Sequence, residues 1–235
     1  MKIINLEKKV GQFVLQIDHL EIEEGCIHGL IGGNGSGKTT LMKLIMGILS
    51  PDSGHIEYEG LNMREITMTS QRPYLLHDTV YENIVYPLKI RGTRPDREKI
   101  GAYLESCGMA GKERQAARSL SSGEQQKVSM IRALGFHPRF VMIDETLSNL
   151  DPDSVEFFEK QILRTREIEG NTWMLISHSL SHIARLCDRV HVFYKGKVVQ
   201  SGPAREVLFH SEVPEVRHFL RGEILSESAF DRRNE

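Results

Sequence analysis

The stretch GGNGSGKT at residues 32–39 decides the fold, because it fits the phosphate-loop pattern G-x-x-x-x-G-K-[ST]. The apolar run CIHGLI (26–31) precedes it, and apolar residues follow at helical spacing, at positions 41, 44, 45, 48 and 49. Glycines let backbone N–H groups surround a phosphate, Lys38 reaches the β- and γ-phosphates, and the Thr39 hydroxyl can ligate Mg²⁺. This context predicts a nucleotide site formed by Gly32, Gly33, Asn34, Gly35, Ser36, Gly37, Lys38, Thr39 and Thr40.

Three further runs predict a parallel sheet: FVMID (140–144), WMLIS (173–177) and VHVFY (190–194). They are mostly apolar and are separated by segments of helical character, which is typical of parallel strands covered by helices on both faces. The helix between the first two runs is predicted to begin after Asp151 as N-cap and to end at Gly170. The fold class is therefore predicted to be α/β.

The rest of the chain divides into strand-rich and helix-rich parts. Residues 2–6 and 13–19 alternate partly and are predicted strands, and the glycine and charge cluster between them is a predicted turn. Short stretches near 55–59 and 65–70 are also predicted strands. Residues 72–118 contain charged helical segments and no strongly buried strand. We expect a helical subdomain to be inserted there.

Composition excludes several classes of protein. The net charge of −2 argues against broad electrostatic binding of nucleic acid, so no nucleic-acid partner is expected. Three scattered cysteines, Cys26, Cys107 and Cys187, form neither a metal pattern nor a disulfide framework and indicate a reducing compartment. No apolar run approaches the ~20 residues that cross a bilayer. We expect a soluble chain that reaches a membrane only through a partner.

Two carboxylates follow the run FVMI directly. A buried strand that ends in Asp144 and Glu145 places them at the ligand-binding edge of a parallel sheet. Asp144 suits a carboxylate that organises Mg²⁺, and Glu145 suits the group that orients or deprotonates the attacking water. The alternative is that the two acids only cap the next turn.

Two polar residues follow other strands at the same predicted edge. His178 comes after WMLIS and is a candidate for contact with the γ-phosphate, although a lone histidine is more often a packing or surface residue. Gln71 comes after ITMTS and could ligate the metal through its amide oxygen. Both are predicted to take part in catalysis.

A second anion-binding pattern occurs in SLSSGEQQKV (119–128). Small hydroxyl and glycine positions precede an apolar-periodic segment, as at the N-terminus of a helix that holds an anion. The residues concerned are Ser121, Ser122, Gly123 and Glu124. The alternative is an ordinary helix N-cap made by Ser121 or Ser122.

Together these motifs resemble the ATP-binding subunit of an ABC transporter. GGNGSGKT, Gln71, LSSGE, FVMIDE, SNLD (148–151) and His178 follow the family order over almost the whole chain. The resemblance implies one domain over 1–235, with a P-loop NTPase core and an N-terminal antiparallel β subdomain in 1–71 and 138–235. It implies a helical subdomain over 72–137 that carries the LSSGE signature. Two copies would meet head to tail, so that each ATP lies between one phosphate loop and the partner's signature.

Three positions depart from the family pattern. Ser122 replaces a glycine of the LSGGQ-type signature, and Thr146 stands where a proline commonly follows the glutamate. The family usually places a tyrosine on the adenine, whereas this sequence offers Val10 or Phe13. Which of these two residues contacts the base stays open.

The resemblance implies a transport motor with ATP and Mg²⁺ as ligands. Its partners would be a transmembrane permease subunit, a second copy of the chain and a substrate-binding protein, with the ATPase peripheral on the cytoplasmic face of the membrane. The segments RHFLRGEIL (217–225) and SHSLSHIARLCDRV (177–190) are similar to importer subunits for oxyanions such as tungstate, molybdate or phosphate. A groove for a permease helix could use Tyr74, Leu75, Leu76 and Val80, which could equally be core residues. The alternative function is a soluble ABC-type ATPase, as in iron–sulfur assembly.

Overall fold

The computed structural model describes residues 1–221, so the last four residues of RHFLRGEIL lie outside the described part. The strands are β1 Lys2–Val10, β2 Phe13–Glu21, β3 Ile27–Ile31, β4 Ser53–Glu57, β5 Ile66–Thr69, β6 Phe140–Asp144, β7 Thr172–Ile176, β8 Arg189–Tyr194 and β9 Lys197–Pro203. The helices are α1 Lys38–Ile45, α2 Val80–Ile90, α3 Arg97–Ser106, α4 Ser122–Leu134, α5 Pro152–Glu169, α6 Leu180–Leu186, α7 Ala204–Phe209 and α8 Pro214–Leu220.

The larger sheet has the strand order β5-β6-β7-β3-β8-β9. Its first five strands are parallel, and β9 returns antiparallel to β8. Every residue of β3, β6 and β7 is buried, as continuous apolar strands require when helices cover both faces. The predicted α/β class is confirmed.

A smaller antiparallel sheet has the order β2-β1-β4. Apolar residues Ile3, Leu6, Leu15 and Ile17 of this sheet belong to the core beneath it. β1 and β2 are longer than predicted, since only Gly11 and Gln12 separate them and Gly11 has a φ of 61°. The charged segment that the sequence suggested as a turn is strand, because its polar side chains face solvent, and Lys8 pairs with Asp52 at 2.7 Å.

Between β5 and β6 the described chain is helical, with α2, α3 and α4 packed together around a shared core. Leu75 and Val80 are buried in that core. Their assignment to the floor of an exposed groove is therefore wrong, and the alternative that they are core residues is right. Tyr74, by contrast, is exposed.

Two buried histidines, His28 on β3 and His191 on β8, lie side by side on neighbouring strands of the larger sheet. His28 Nδ1 lies 2.9 Å from His191 Nε2, and His191 Nδ1 lies 2.9 Å from the Ser201 hydroxyl. His28 Nε2 lies 3.0 Å from the Glu23 carbonyl oxygen, so every ring nitrogen has a partner. Burial lowers the pKa of both imidazoles, that of His191 to about 3. The network therefore holds two neutral rings at neutral pH.

We expect this pair to make the fold sensitive to acid. Because the folded-state pKa of His191 lies below the ordinary value of ~6.5, the unfolded chain takes up a proton first as pH falls. Between pH 7.5 and 5 this proton lowers the free energy of unfolding by about 2 kcal/mol. Urea unfolding at both pH values measures the free energy of unfolding. Between pH 7.5 and 5 this free energy should fall less in His191→Gln than in the native chain. An equal loss in both proteins would contradict this assignment, and His55→Gln, at an exposed site, is the control.

Candidate functional site

The carboxyl edge of the larger sheet collects the predicted site residues. The phosphate loop follows β3, Asp144 ends β6 and is followed by Glu145, and His178 lies two residues after β7. Gln71 lies two residues after β5. Because these four strands are neighbours in the order β5-β6-β7-β3, residues distant in sequence meet at one edge.

Two glycines of the phosphate loop admit no side chain. Gly32 has a φ of 137°, and a Cβ there would lie 2.1 Å from the Phe193 carbonyl oxygen. Gly37 has a φ of 111°, and a Cβ there would lie 2.7 Å from Leu15 Cδ1. Gly37 is also the N-cap of α1, so the loop leads directly to a helix N-terminus, where backbone N–H groups favour an anion.

The Lys38 ammonium lies inside the loop. It donates to the carbonyl oxygens of Gly32 at 2.7 Å and Gly33 at 3.1 Å. Burial lowers the pKa of Lys38, and the neighbouring carboxylates of Glu145 and Asp144 oppose that shift. The loop thus holds a cation at the place where the motif predicts phosphate oxygens.

The oxygen ligands predicted for Mg²⁺ are adjacent. The Thr39 hydroxyl donates to Asp144 Oδ2 at 2.9 Å. Burial raises the pKa of Asp144, and the hydrogen bond from Thr39 acts against that rise. Hydroxyl and carboxylate oxygens suit Mg²⁺, which usually takes few protein ligands and completes its shell with water and phosphate oxygens. Residues 1–221 contain no cluster of three or more His, Cys, Asp or Glu side chains that could hold a metal unaided.

Glu145 lies between the other two predicted catalytic side chains. Its Oε1 is 2.7 Å from His178 Nε2, and its Oε2 accepts from Gln71 Nε2 at 3.1 Å. Its backbone has a φ of 54°, and its amide donates to the Ile176 carbonyl oxygen at 3.0 Å. The left-handed conformation turns the chain at the strand end, and the other two side chains hold the carboxylate.

A cleft of about 250 Å³ lies along the loop. It is lined by Val10, Phe13, Asn34, Gly35, Ser36, Gly37, Lys38, Thr39, Thr40 and Glu145. Val10 and Phe13 are opposite each other in the β1–β2 hairpin, so both candidates for the adenine contact lie on the same wall. A second cleft of about 230 Å³ opens at the other end of the sheet, where Arg139 pairs with Glu24 and the Met1 ammonium pairs with Glu59.

The signature residues form the start of α4. Ser121 is the N-cap, and its hydroxyl oxygen accepts from the Glu124 amide at 3.3 Å. Glu124 Oε2 accepts from the Ser121 amide at 2.8 Å, which completes a capping box. Ser121 is therefore the N-cap of α4, which was the alternative interpretation of this sequence pattern. Its hydroxyl proton is not used by the capping box and can still be donated to an anion.

Sequence reasoning missed two contacts that surround this site. The Gln126 side chain, buried on α4, donates from Nε2 to the Gln71 carbonyl oxygen at 2.9 Å. The hydroxyl oxygen of Thr146, which occupies the position of the usual proline, lies 2.8 Å from the hydroxyl oxygen of Thr69. The helical spacing of Gln126 with the buried residues Met130 and Leu134 was a signal that could have located it in the core.

Sequence comparison finds close relatives. A family model described as ABC transporter matches residues 15–148. The tungstate uptake system ATP-binding protein TupC of Peptoclostridium acidaminophilum is 37% identical over 203 residues, which cover 83% of this chain and 95% of that protein. A methionine import ATP-binding protein, MetN 1 of Listeria monocytogenes, is 32% identical over 245 residues, which cover 98% of this chain and 71% of that protein.

Solved structures share the fold. CbiO1 from Clostridium perfringens, part of the ABC transporter complex cbiONQ, superposes with a TM-score of 0.73 at 25% identity, covering 94% of this chain and 95% of its own. An ATP-binding subunit of an ABC transporter superposes with a TM-score of 0.80 at 21% identity, covering 100% and 99%. Over residues 1–221, no helix has the length and apolar character needed to span a bilayer.

Proposed function

The chain belongs to the ABC transporter family, whose ATP-binding subunits hydrolyse ATP to drive transport, and we propose that two copies close around two ATP molecules to power a membrane permease. The observation that carries this proposal is the contact of Gln71, Glu145 and His178 beside the phosphate loop. Two side chains that follow separate strands, Gln71 and His178, contact the Glu145 carboxylate, which is the arrangement that a positioned general base needs.

The side chains have distinct proposed roles. Lys38 exchanges its loop carbonyl partners for β- and γ-phosphate oxygens, and loop amides surround the phosphates. Thr39, Asp144 and Gln71 supply oxygen ligands for Mg²⁺, which when bound neutralises charge on the phosphates. Glu145 accepts the proton of the attacking water, and His178 fixes its carboxylate and faces the γ-phosphate. These groups act mainly by position and charge.

We propose that Val10 contacts the adenine and that Phe13 supports the phosphate loop. The Phe13 ring packs against Gly37, since a Cβ on that glycine would lie 3.1 Å from Phe13 Cζ. Val10 lines the same cleft with an exposed side chain. An aromatic side chain stacked on the adenine would add ~0.5–1.5 kcal/mol to the free energy gained by burial of apolar area. The aliphatic Val10 gives the burial without that addition.

A second copy of the chain is proposed to complete each site. The α4 N-terminus is exposed, where Ser121 and Ser122 present hydroxyl donors and Ser122 and Gly123 present backbone amides, while the Ser121 amide is bonded to Glu124. A helix N-terminus with free donors attracts the negative charge of a γ-phosphate held by the partner's loop. Ser122 adds a hydroxyl donor where the family pattern has glycine.

The proposed cargo is an oxyanion such as tungstate, molybdate or phosphate, taken up with the help of a substrate-binding protein. Support comes from the tungstate uptake relative, which this chain matches over 95% of that protein's length. Both curated relatives named above are importer subunits, which favours import over a soluble role in iron–sulfur assembly. A cytoplasmic location on the inner face of the membrane follows from this role.

The proposed permease contact is an apolar patch formed by Ile48, Met63, Tyr86 and Ile90, all exposed. Ile48 lies near Met63, because a Cβ on the adjacent Gly47 would be 3.6 Å from Met63 Cε. Tyr86 and Ile90 are four residues apart on α2 and share one face. The Arg91 guanidinium, next to Ile90, donates to the Arg64 carbonyl oxygen, next to Met63, at 2.7 Å. The patch thus joins α2 to the segments that follow α1 and β4, and a permease helix can pack an apolar face against it.

Ile90→Asp should remove the chain from membranes of the native cells while hydrolysis by the isolated protein continues. The new carboxylate would be buried in an apolar contact without water or a partner, and the affinity for the permease should fall by ~2 kcal/mol or more. Co-sedimentation with membranes is the measurement, and mass spectrometry of the captured permease identifies the transport system. Ile168→Asp is the matched control, because Ile168 is 70% exposed and Ile90 61%. Membrane association of Ile90→Asp at the native level would contradict the patch.

A further inference from the structure

An ion pair lies at the N-terminus of the signature helix α4. Lys112 lies in the loop between α3 and α4, and its Nζ contacts Glu124 Oε1. The other oxygen of that carboxylate accepts the Ser121 amide at 2.8 Å. Glu124 thus has both oxygens occupied, one by the helix N-terminus and one by Lys112.

Glu124 brings a negative charge to the surface that is proposed to receive phosphates. The hydrogen bond from Lys112, followed by those from Ser121, holds the pKa of Glu124 at about 2, so it is ionised at neutral pH. A carboxylate in the first helical turn stabilises the helix, but it repels an incoming γ-phosphate across a short distance. A neighbouring cation removes that repulsion without removing the cap.

We propose that Lys112 belongs to the partner's nucleotide site, where it neutralises Glu124 and so permits a polyphosphate to approach the N-terminus of α4. The inference rests on the proposed function, in which Ser121 to Glu124 face the nucleotide of a second copy. Lys112 is a positioning and charge-compensating residue in this account. It does not touch the reacting atoms.

The loop does not depend on Lys112 for its position. The Tyr81 amide donates to the Glu113 carbonyl oxygen at 3.0 Å, and the Val80 amide donates to that of Gln115 at 2.9 Å. Lys127 Nζ donates to the Cys107 carbonyl oxygen at 2.8 Å. Because these bonds tie the start of the loop to α4 and its middle to α2, a Lys112 substitution should leave the fold intact.

Lys112→Met should raise the ATP concentration that gives half-maximal hydrolysis by about tenfold, because Glu124 then repels the nucleotide. Adding Glu124→Gln to Lys112→Met should return this ATP concentration most of the way to the native value, since the amide keeps the cap and has no charge. The defect of the single variant should also shrink as salt rises from ~0.05 to 0.5 M. Steady-state hydrolysis by the isolated full-length chain measures all three effects. Lys160→Met, which breaks an exposed pair with Glu156 on α5, is the control and should behave as the native chain.

A merely structural ion pair predicts the opposite result for the double variant. If Lys112→Met lowers activity and Glu124→Gln fails to restore it, the charge argument is wrong. A Lys112→Met protein with native kinetics also overturns it. Ser121→Arg separates this inference from the proposed function: active Ser121→Arg protein contradicts the shared nucleotide site itself, whereas inactive Ser121→Arg with native Lys112→Met contradicts only the role of Lys112.

Discussion

Replacing Glu145 with Gln is expected to lower kcat for ATP hydrolysis at least ~100-fold and to leave Mg-ATP binding nearly unchanged. The amide keeps the size and contacts of the side chain between Gln71 and His178 but cannot accept the proton of water. General bases typically contribute 10²–10⁴-fold, which makes this one of the two largest expected effects. Lys38→Ala should instead weaken binding itself, because the lost cation contacts ground-state phosphates.

Single-turnover hydrolysis together with equilibrium binding of ATP separates the two quantities. Glu167→Gln, on the exposed end of α5, makes the same chemical change away from the site and should hydrolyse at the native rate. Native turnover by Glu145→Gln would show that another group takes the proton, and the proposed role of Glu145 would be wrong.

Ser121→Arg is expected to abolish hydrolysis while the isolated chain still binds ATP through its own phosphate loop. The bulky cation fills the space in front of the α4 N-terminus, which is proposed to receive the partner's γ-phosphate. Ser121→Ala is the matched variant, since it removes the N-cap without adding bulk and costs about 1 kcal/mol of stability. If Ser121 served only as a cap, the two variants would lose similar stability and both would hydrolyse ATP.

The parts of the fold that were predictable depend on local patterns. The phosphate loop lies between β3 and α1 because glycines, a buried apolar run and helical periodicity are adjacent in sequence. The N-cap Asp151 and the end of α5 at Gly170 were predicted for the same reason. The position of Gln71, Glu145 and His178 at one edge followed from the geometry of parallel strands, although their direct contacts did not.

The missed features depend on pairs that are remote in sequence. His28 and His191 are 163 residues apart, and Gln126 and Gln71 are 55 apart, so no local pattern shows that they meet. Leu75 and Val80 were ambiguous for a related reason. An apolar residue near a helix start fits either a groove or a core, and only the packing of α2 against α4 decides between them.

Mixing Ser121→Arg with Lys38→Ala protein tests whether each ATP lies between two copies of the chain. Neither variant alone can form a complete site, but a mixed dimer joins the intact phosphate loop of the first to the intact signature of the second. Hydrolysis should therefore return in the mixture, at roughly a quarter of the native rate, because random pairing makes half of the dimers mixed and each has one of its two sites. Activity no greater than that of the two variants measured separately would contradict the shared site.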